Sequence, residues 1–223
     1  MASATVENYL KHAFVLQQQG DGDALVSMGR LAGAVGVTPG SATAMAKTLA
    51  EAGLLEHEPR AGVRLTTAGE RLALGVLRRH RLIEQFLVEV LGMDWAEVHA
   101  EAEELEHAVS DKVLDRIDRL LGHPKADPHG DPIPAANACS EGPASVVGSL
   151  ADCPLGEPLA VARVLDQSPE FLQLLDRRGL VPGAGVQVDE REEAADAVVV
   201  RPVGKRRATL GVAAARKVLV RRA

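Results

Sequence analysis

Seven of the chain's twelve prolines fall between positions 124 and 158, at Pro124, Pro128, Pro132, Pro134, Pro143, Pro154 and Pro158. Proline fixes φ and has no backbone N–H, so neither a long helix nor a central strand tolerates such a run. The stretch therefore divides the chain. Upstream, apolar residues recur at helical spacing; downstream, LAVARVLD, AGVQVDERE, AVVVRPVG and KVLVRRA read as strands. Pro169 to Arg178 reads as a short helix closed by Gly179. The expected class is mainly α with small β parts, ending in a small β-barrel-like domain. No internal repeat is visible.

A chain of 223 residues has room for two or three small domains. With 46% hydrophobic and 25% charged residues it is globular rather than disordered. Aromatics at 2% argue against a base-stacking platform for single strands. A net charge of −6 excludes a purely electrostatic nucleic-acid coat but leaves room for a focused DNA contact. Cys139 and Cys153 form no disulfide framework, so nothing suggests an oxidising compartment. Glu7 interrupts the N-terminus before a signal core could form, and no run approaches a membrane span of roughly 20 apolar residues. The expectation is a soluble cytoplasmic protein with no membrane partner.

The first seventy residues are the most patterned. Thr5 is placed to cap a helix through Tyr9, Leu10, Phe14 and Leu16, which stops at Gly20-Asp21-Gly22. Ser27 caps a short helix, MGRLAGAV, and Gly36-Val37 turns tightly. Thr38 caps the next helix with Pro39 in its first position, where a missing N–H costs nothing. That helix runs to Gly53, and LLEHEPRAGVRLT then gives two short strands. This is a winged helix-turn-helix. Thr38, Ser41 and Thr43 offer short hydrogen-bonding side chains at the start of the recognition helix. Lys47 follows one turn later, and Arg60 and Arg64 lie in the wing. These residues suit phosphate contact and shallow base readout in double-stranded DNA. A winged helix used only for protein contacts is the plain alternative.

Charge is uneven along the chain. Residues 1–73 carry 6 basic and 7 acidic side chains, 74–137 carry 7 and 13, and 138–223 carry 12 and 11, giving −1, −6 and +1. Five of the seven histidines, His80, His99, His107, His123 and His129, share the acidic middle segment. Acid and histidine concentrated together suggest metal, and nitrogen with oxygen donors suits Mn(II) or Fe(II) above thiophilic ions. LRRHRLIEQFLVEVLGMDW reads as an amphipathic helix with Leu82, Phe86 and Val90 on one face, and with His80 and Glu84 four apart. WAEVHAEAEELEHAVSDKVLDRIDRLLG reads as a second helix. It places His99, Glu103, Glu106 and His107 on one stripe, and Leu105, Val109, Val113 and Ile117 on an apolar one. Each piece has an ordinary counterpart. Glu106-His107 can be an exposed pair, His80 and Glu84 an i,i+4 pair, and Asp127-Pro128-His129 a turn.

Taken together, VENYLK, the helix-turn-helix and wing, RRHRLIEQFL, EVHAEAEELEHAVSD and GHPKADPHGDPIP resemble the diphtheria toxin repressor family, in particular its manganese-responsive branch. PLGEPLAVARVLD and LLDRRGLVPGAGVQV resemble the SH3-like, FeoA-type module appended to many members. The resemblance covers nearly the whole chain. It implies an activating metal site of Asn8, Glu103, Glu106 and His107. It implies a second site of His80, Glu84 and His99, with Asp127 and His129 as added or alternative ligands, and Glu170 from the C-terminal module. Mn(II) is the implied metal, with Fe(II) the alternative. Three departures stand out. Asn8 offers a neutral oxygen where the manganese branch commonly has aspartate. Lys11 disfavours a binuclear arrangement that needs a carboxylate there. Glu103 and Asp127 stand where other members have cysteine, which hardens both sites.

The implied organisation is a DNA-binding domain at 1–73, a helical dimerisation and metal-binding domain at 74–137, a linker at 138–153 and an SH3-like domain at 154–223. The implied function is a homodimeric, metal-activated repressor of palindromic operator DNA that performs no chemistry. An iron-dependent repressor of the same family is the first alternative. A winged-helix regulator sensing a small organic ligand and a metal-dependent hydrolase are more distant ones.

Overall fold

The computed structural model describes residues 3–20, 25–135 and 146–223. It divides into two compact units, one of Met1–Arg79 with Pro134–Glu141, the other of His80–Ile133 with Gly142–Ala223.

The first unit holds helices α1 (Ala4–Gln18), α2 (Met28–Val35) and α3 (Pro39–Glu51), strands β1 (Leu55–Glu58) and β2 (Gly62–Leu65), and the start of α4 (Thr67–Glu89). Ser3, not Thr5, caps α1: Ser3 is extended and its hydroxyl accepts from the Val6 N–H, whereas Thr5 is already helical. The expected turn residues Asp21 and Gly22 lie outside the described residues. Ser27 caps α2, and Gly36 ends it at φ 75°, a left-handed conformation that glycine adopts without a Cβ penalty. Thr38 caps α3 by accepting from the Ser41 N–H at 3.2 Å, with Pro39 as the first helical residue. Ala42, Ala46 and Leu49 of α3 are buried against Leu10, Ala13, Phe14, Leu31 and Val63. Full burial of each leucine contributes about 1.5–3 kcal/mol. β1 and β2 pair antiparallel with Glu56 opposite Arg64, and Val26 bridges to Val63.

In the second unit, the helix expected from Trp95 to Gly122 is two helices, α5 (Val98–Leu105) and α6 (Asp111–Leu120). Ser110 is the reason. Its backbone is extended and its hydroxyl accepts from the Val113 N–H, so a new helix begins there. The break also divides the expected apolar stripe. Ile117 packs with Leu114, Leu82 and Ile133, while Leu105 and Val113 remain exposed. Ile83 and Leu87 of α4 pack on Val98 and Ala102 of α5. Val90, expected on the apolar face with Leu82 and Phe86, is exposed beyond the end of α4.

The rest of this unit is a six-stranded antiparallel sheet, consistent with an SH3-like domain. Its strands are β3 (Gly148–Ser149), β4 (Leu159–Val164), β5 (Gly185–Glu192), β6 (Ala197–Pro202), β7 (Ala208–Gly211) and β8 (Val218–Arg222), in the order β3-β8-β4-β5-β6-β7. Helix α7 (Pro169–Arg178) closes on Gly179 as expected, and α8 (Val212–Ala215) follows β7. Leu150 and Cys153, inside the expected linker 138–153, are buried in this core with Val161, Leu172 and Val220. Cys139 lies outside the described residues. Trp95 and Ala96 pack on the same core.

Candidate metal centre and nucleic-acid interface

Residues His80 and Glu84 stand one turn apart on α4, and both are buried. The imidazole uses both ring nitrogens. Nδ1 is 2.6 Å from Glu106 Oε2; Nε2 is 3.0 Å from Glu84 Oε1 and 3.1 Å from His99 Nδ1. His99 Nδ1 also lies 3.1 Å from Glu84 Oε1, and its Nε2 is 3.7 Å from Glu103 Oε1. Glu106 is the C-cap of α5; its backbone is still helical, with its N–H donating to the Ala102 carbonyl, and its carboxylate is fully buried. His107 Nε2 follows at 3.3 Å from Glu106 Oε1. His99, Glu103 and Glu106 lie within one helical stretch, α5 and its C-cap, and His107 follows in the turn after it. His80, His99 and Glu103 offer ligand atoms within 4.8 Å of one another.

A second group within 4.8 Å is Glu84, Asp127 and His129, all buried. The expected Asp127-Pro128-His129 turn exists. The Gly130 N–H donates to Asp127 O, and Asp127 Oδ1 accepts from the His129 N–H at 2.8 Å and the Asp131 N–H at 2.9 Å. His129 Nε2 is 2.8 Å from the Trp95 carbonyl. That contact leaves Nδ1 directed at Glu84 Oε2, 3.6 Å away. Neither of these two buried atoms has a hydrogen-bond partner. A buried carboxylate oxygen and a buried imidazole nitrogen facing each other across such a gap suit a shared cation. The donor set, imidazole nitrogens and carboxylate oxygens, fits Mn(II) or Fe(II).

The electrostatics match this arrangement. Burial raises the pKa of Glu84, but pairing with His129, His80 and His99 outweighs it and holds the carboxyl well below its ordinary range. Burial, then Asp131 and Glu84, push Asp127 up to about 8. Burial pulls His129 down, yet pairing with Glu84 leaves it raised overall.

The other expected ligands are placed as follows. Asn8 is half-buried on α1 in the first unit, beside buried Glu7, whose Oε2 lies 2.8 Å from Arg79 Nη2. Lys11, three residues on, is buried. Asn8 also lines an open cleft of about 660 Å³ with Tyr9, Val37, Ser41 and Met45. Glu170 is exposed in the first turn of α7 and belongs to neither ligand group. Sequence reasoning passed over Asp131, Arg81 and Arg163. Arg81 Nη2 is 3.4 Å and Arg163 Nη2 2.5 Å from Asp131 Oδ1. The repeated Asp-Pro of DPHGDP was the available signal.

On α3, Pro39, Gly40, Ser41, Ala44, Lys47 and Thr48 are exposed, and Thr38 stands exposed at the cap. The Thr38 and Ser41 hydroxyls are 2.9 Å apart. Thr43 is half-buried and its hydroxyl donates to the Pro39 carbonyl, which leaves it the least available of the expected contacts. Arg60 projects from the wing at φ 67°, and Arg64 is paired with Glu56 at 2.6 Å.

Residues 1–63 match the family model of the iron-dependent repressor N-terminal DNA-binding domain. Residues 66–135 match the iron-dependent repressor metal-binding and dimerisation domain, and residues 148–222 match the FeoA domain. The chain is 32% identical over 208 residues to the iron-dependent repressor IdeR of Mycobacterium leprae, covering 89% of each. A solved manganese-dependent transcriptional repressor in complex with manganese has a TM-score of 0.87 at 39% identity, covering 98% of this chain and 100% of that one. The manganese regulator SloR has a TM-score of 0.76 at 28% identity, covering both chains fully.

Proposed function

This chain belongs to the iron-dependent repressor family, and from that premise we propose how its own residues make operator binding depend on a divalent metal. The protein is a metal-activated transcriptional repressor whose regulatory metal is Mn(II) or Fe(II). The observation that carries the proposal is the facing pair Glu84 Oε2 and His129 Nδ1, buried and unpartnered within a wider cluster of imidazoles and carboxylates.

Two ligand sets follow. Glu84, Asp127 and His129 hold one cation, joined by His80 and His99. Glu103, Glu106 and His107 hold the activating one, with Asn8 as the donor assigned to α1 from the sequence resemblance. When bound, the metal supplies a dipositive centre that offsets the crowded carboxylates. The hard donors favour Mn(II), with Fe(II) as the alternative. Residues 66–135 provide the dimerisation domain, and we assign the exposed Leu105, Val113 and Leu120 to the face covered by a second copy. Two copies present two α3 helices to a two-fold DNA site, where Thr38, Ser41 and Lys47 meet the duplex and Arg60 reaches it from the wing. The output is DNA affinity rather than covalent chemistry, and metal and DNA raise each other's affinity by one common factor. Among the described residues no helix is long and apolar enough to cross a membrane. A cytoplasmic location is part of the proposal.

Capture from a random duplex library tests the reading. Protein in Mn(II) buffer should enrich a two-fold sequence, and the same protein in chelator should enrich none. Enrichment of the same sequence in both buffers would contradict it.

A further inference from the structure

The polar cluster beneath the Asp127–Asp131 loop contains no assigned ligand apart from Asp127 itself. Asp131 is 4% exposed, and both of its carboxylate oxygens are engaged. Oδ1 is 2.5 Å from Arg163 Nη2 and 3.4 Å from Arg81 Nη2, and Oδ2 accepts from Gln167 Nε2 at 2.8 Å. Arg81 Nη1 also donates to the Pro132 carbonyl at 2.6 Å. The loop is thus held from α4 on one side and from the C-terminal module on the other. The backbone repeats the same tie. The Val164 N–H of β4 donates to the His129 carbonyl at 2.9 Å. Gly130, at φ 87°, lies so close to β4 that a Cβ there would collide with the Ala162 carbonyl and the Arg163 Cα.

We propose that Asp131 is a positioning residue of the second metal site, and that Arg163 and Gln167 make the C-terminal module the support that fixes Asp127 and His129 toward Glu84. This rests on the assignment of Glu84, Asp127 and His129 as metal ligands. Without these ties the loop has few internal bonds, chiefly the Asp127–Asp131 backbone pair and the bonds to Asp127 Oδ1. Ordering its ligands would then be a cost of each binding event. With them the ordering is complete before a cation arrives. Partners outside the ligand set typically change metal affinity by about 10–100-fold. Arg81 and Arg163 also offset the negative charge that Asp131 brings beside Asp127 and Glu84.

The test uses the full chain, with Mn(II) followed by calorimetry and by the line shape of its paramagnetic resonance. The Arg163 side chain is 32% exposed, so Arg163→Gln should leave the metal-free melting temperature nearly unchanged. We expect Arg163→Gln and Asp131→Asn to weaken the second-site affinity about tenfold or more and broaden that site's signal, with the activating site unchanged. Arg163→Lys should recover part of the loss. Wild-type affinity in both phases for Arg163→Gln and Asp131→Asn, while His129→Ala loses the second phase, would overturn the positioning role alone. So would a loss in Arg163→Gln that follows its melting temperature and is not relieved by Arg163→Lys. Two intact phases in His129→Ala would overturn the ligand assignment and the proposal with it.

Discussion

His80 Nδ1 lies 2.6 Å from Glu106 Oε2, and both side chains are buried. The two residues belong to different ligand sets, so one imidazole joins them. Donation from Nδ1 to Glu106 leaves Nε2 as the nitrogen facing Glu84 and His99.

Because of this link, His80→Ala should weaken both phases of Mn(II) binding, by about tenfold or more for a lost ligand or orienting partner. His129→Ala should weaken only one. Calorimetric titration of the two variants makes the comparison. An effect of His80→Ala confined to a single phase would place Glu106 outside its influence.

Metal affinity should rise with pH. Asp127, pushed up to about 8, carries a proton at neutral pH without metal, and His129 is also raised, so protons compete with the cation at both positions. Mn(II) affinity at the second site should climb between about pH 6.5 and 8 and then level, with proton release measurable in buffers of different ionisation enthalpy. The stability sign is opposite. The native state holds the Asp127 proton between its unfolded value near 3.9 and about 8, so this group's stabilising contribution is present in acid and declines across that window. Asp127→Asn should flatten both dependences. A wild-type slope in that variant would assign the protons elsewhere.

Much of this was legible in the sequence where local rules decide. Ser27, Gly36, Thr38 and Pro39 are cap and turn residues whose meaning depends only on neighbours, and each stands where it was expected. The break at Ser110 is hidden in the sequence, although Ser-Asp is a helix-start signal, because Leu105, Val109, Val113 and Ile117 keep a helical spacing of four straight across it. Cys153 and Leu150 looked like linker because small residues and prolines surround them, yet long-range packing buries both. The Arg81–Asp131–Arg163 cluster joins residues fifty and more than thirty positions apart, a pairing that no local pattern encodes.

Lys47→Ala on the recognition helix and Arg60→Ala in the wing should each reduce the slope of log affinity against log salt by about one unit. Arg60 stands at φ 67°, so Arg60→Gly should lower the slope equally while stabilising the fold by about 1 kcal/mol. Thr38→Ala should cost about 1 kcal/mol of stability through loss of the α3 cap. Salt titrations and urea unfolding separate the two kinds of effect. An unchanged slope in both basic variants would remove Lys47 and Arg60 from the interface.

Asn8→Asp is close to a pure charge change, since amide and carboxylate have nearly the same shape. An anionic oxygen gains more from a dication than a neutral one does in a partly desolvated site. The variant should bind Mn(II) more tightly and need less of it to bind DNA. Unchanged or weaker affinity would strike Asn8 from the ligand list.

The most direct measurement is a fluorescence-anisotropy titration of operator duplex with one protein preparation, first in chelator and then with Mn(II) restored. Specific binding is expected only in Mn(II), reversed by chelator and absent in Glu106→Ala at the same metal concentration. Equal operator affinity for the metal-free and Mn(II)-loaded protein would contradict it.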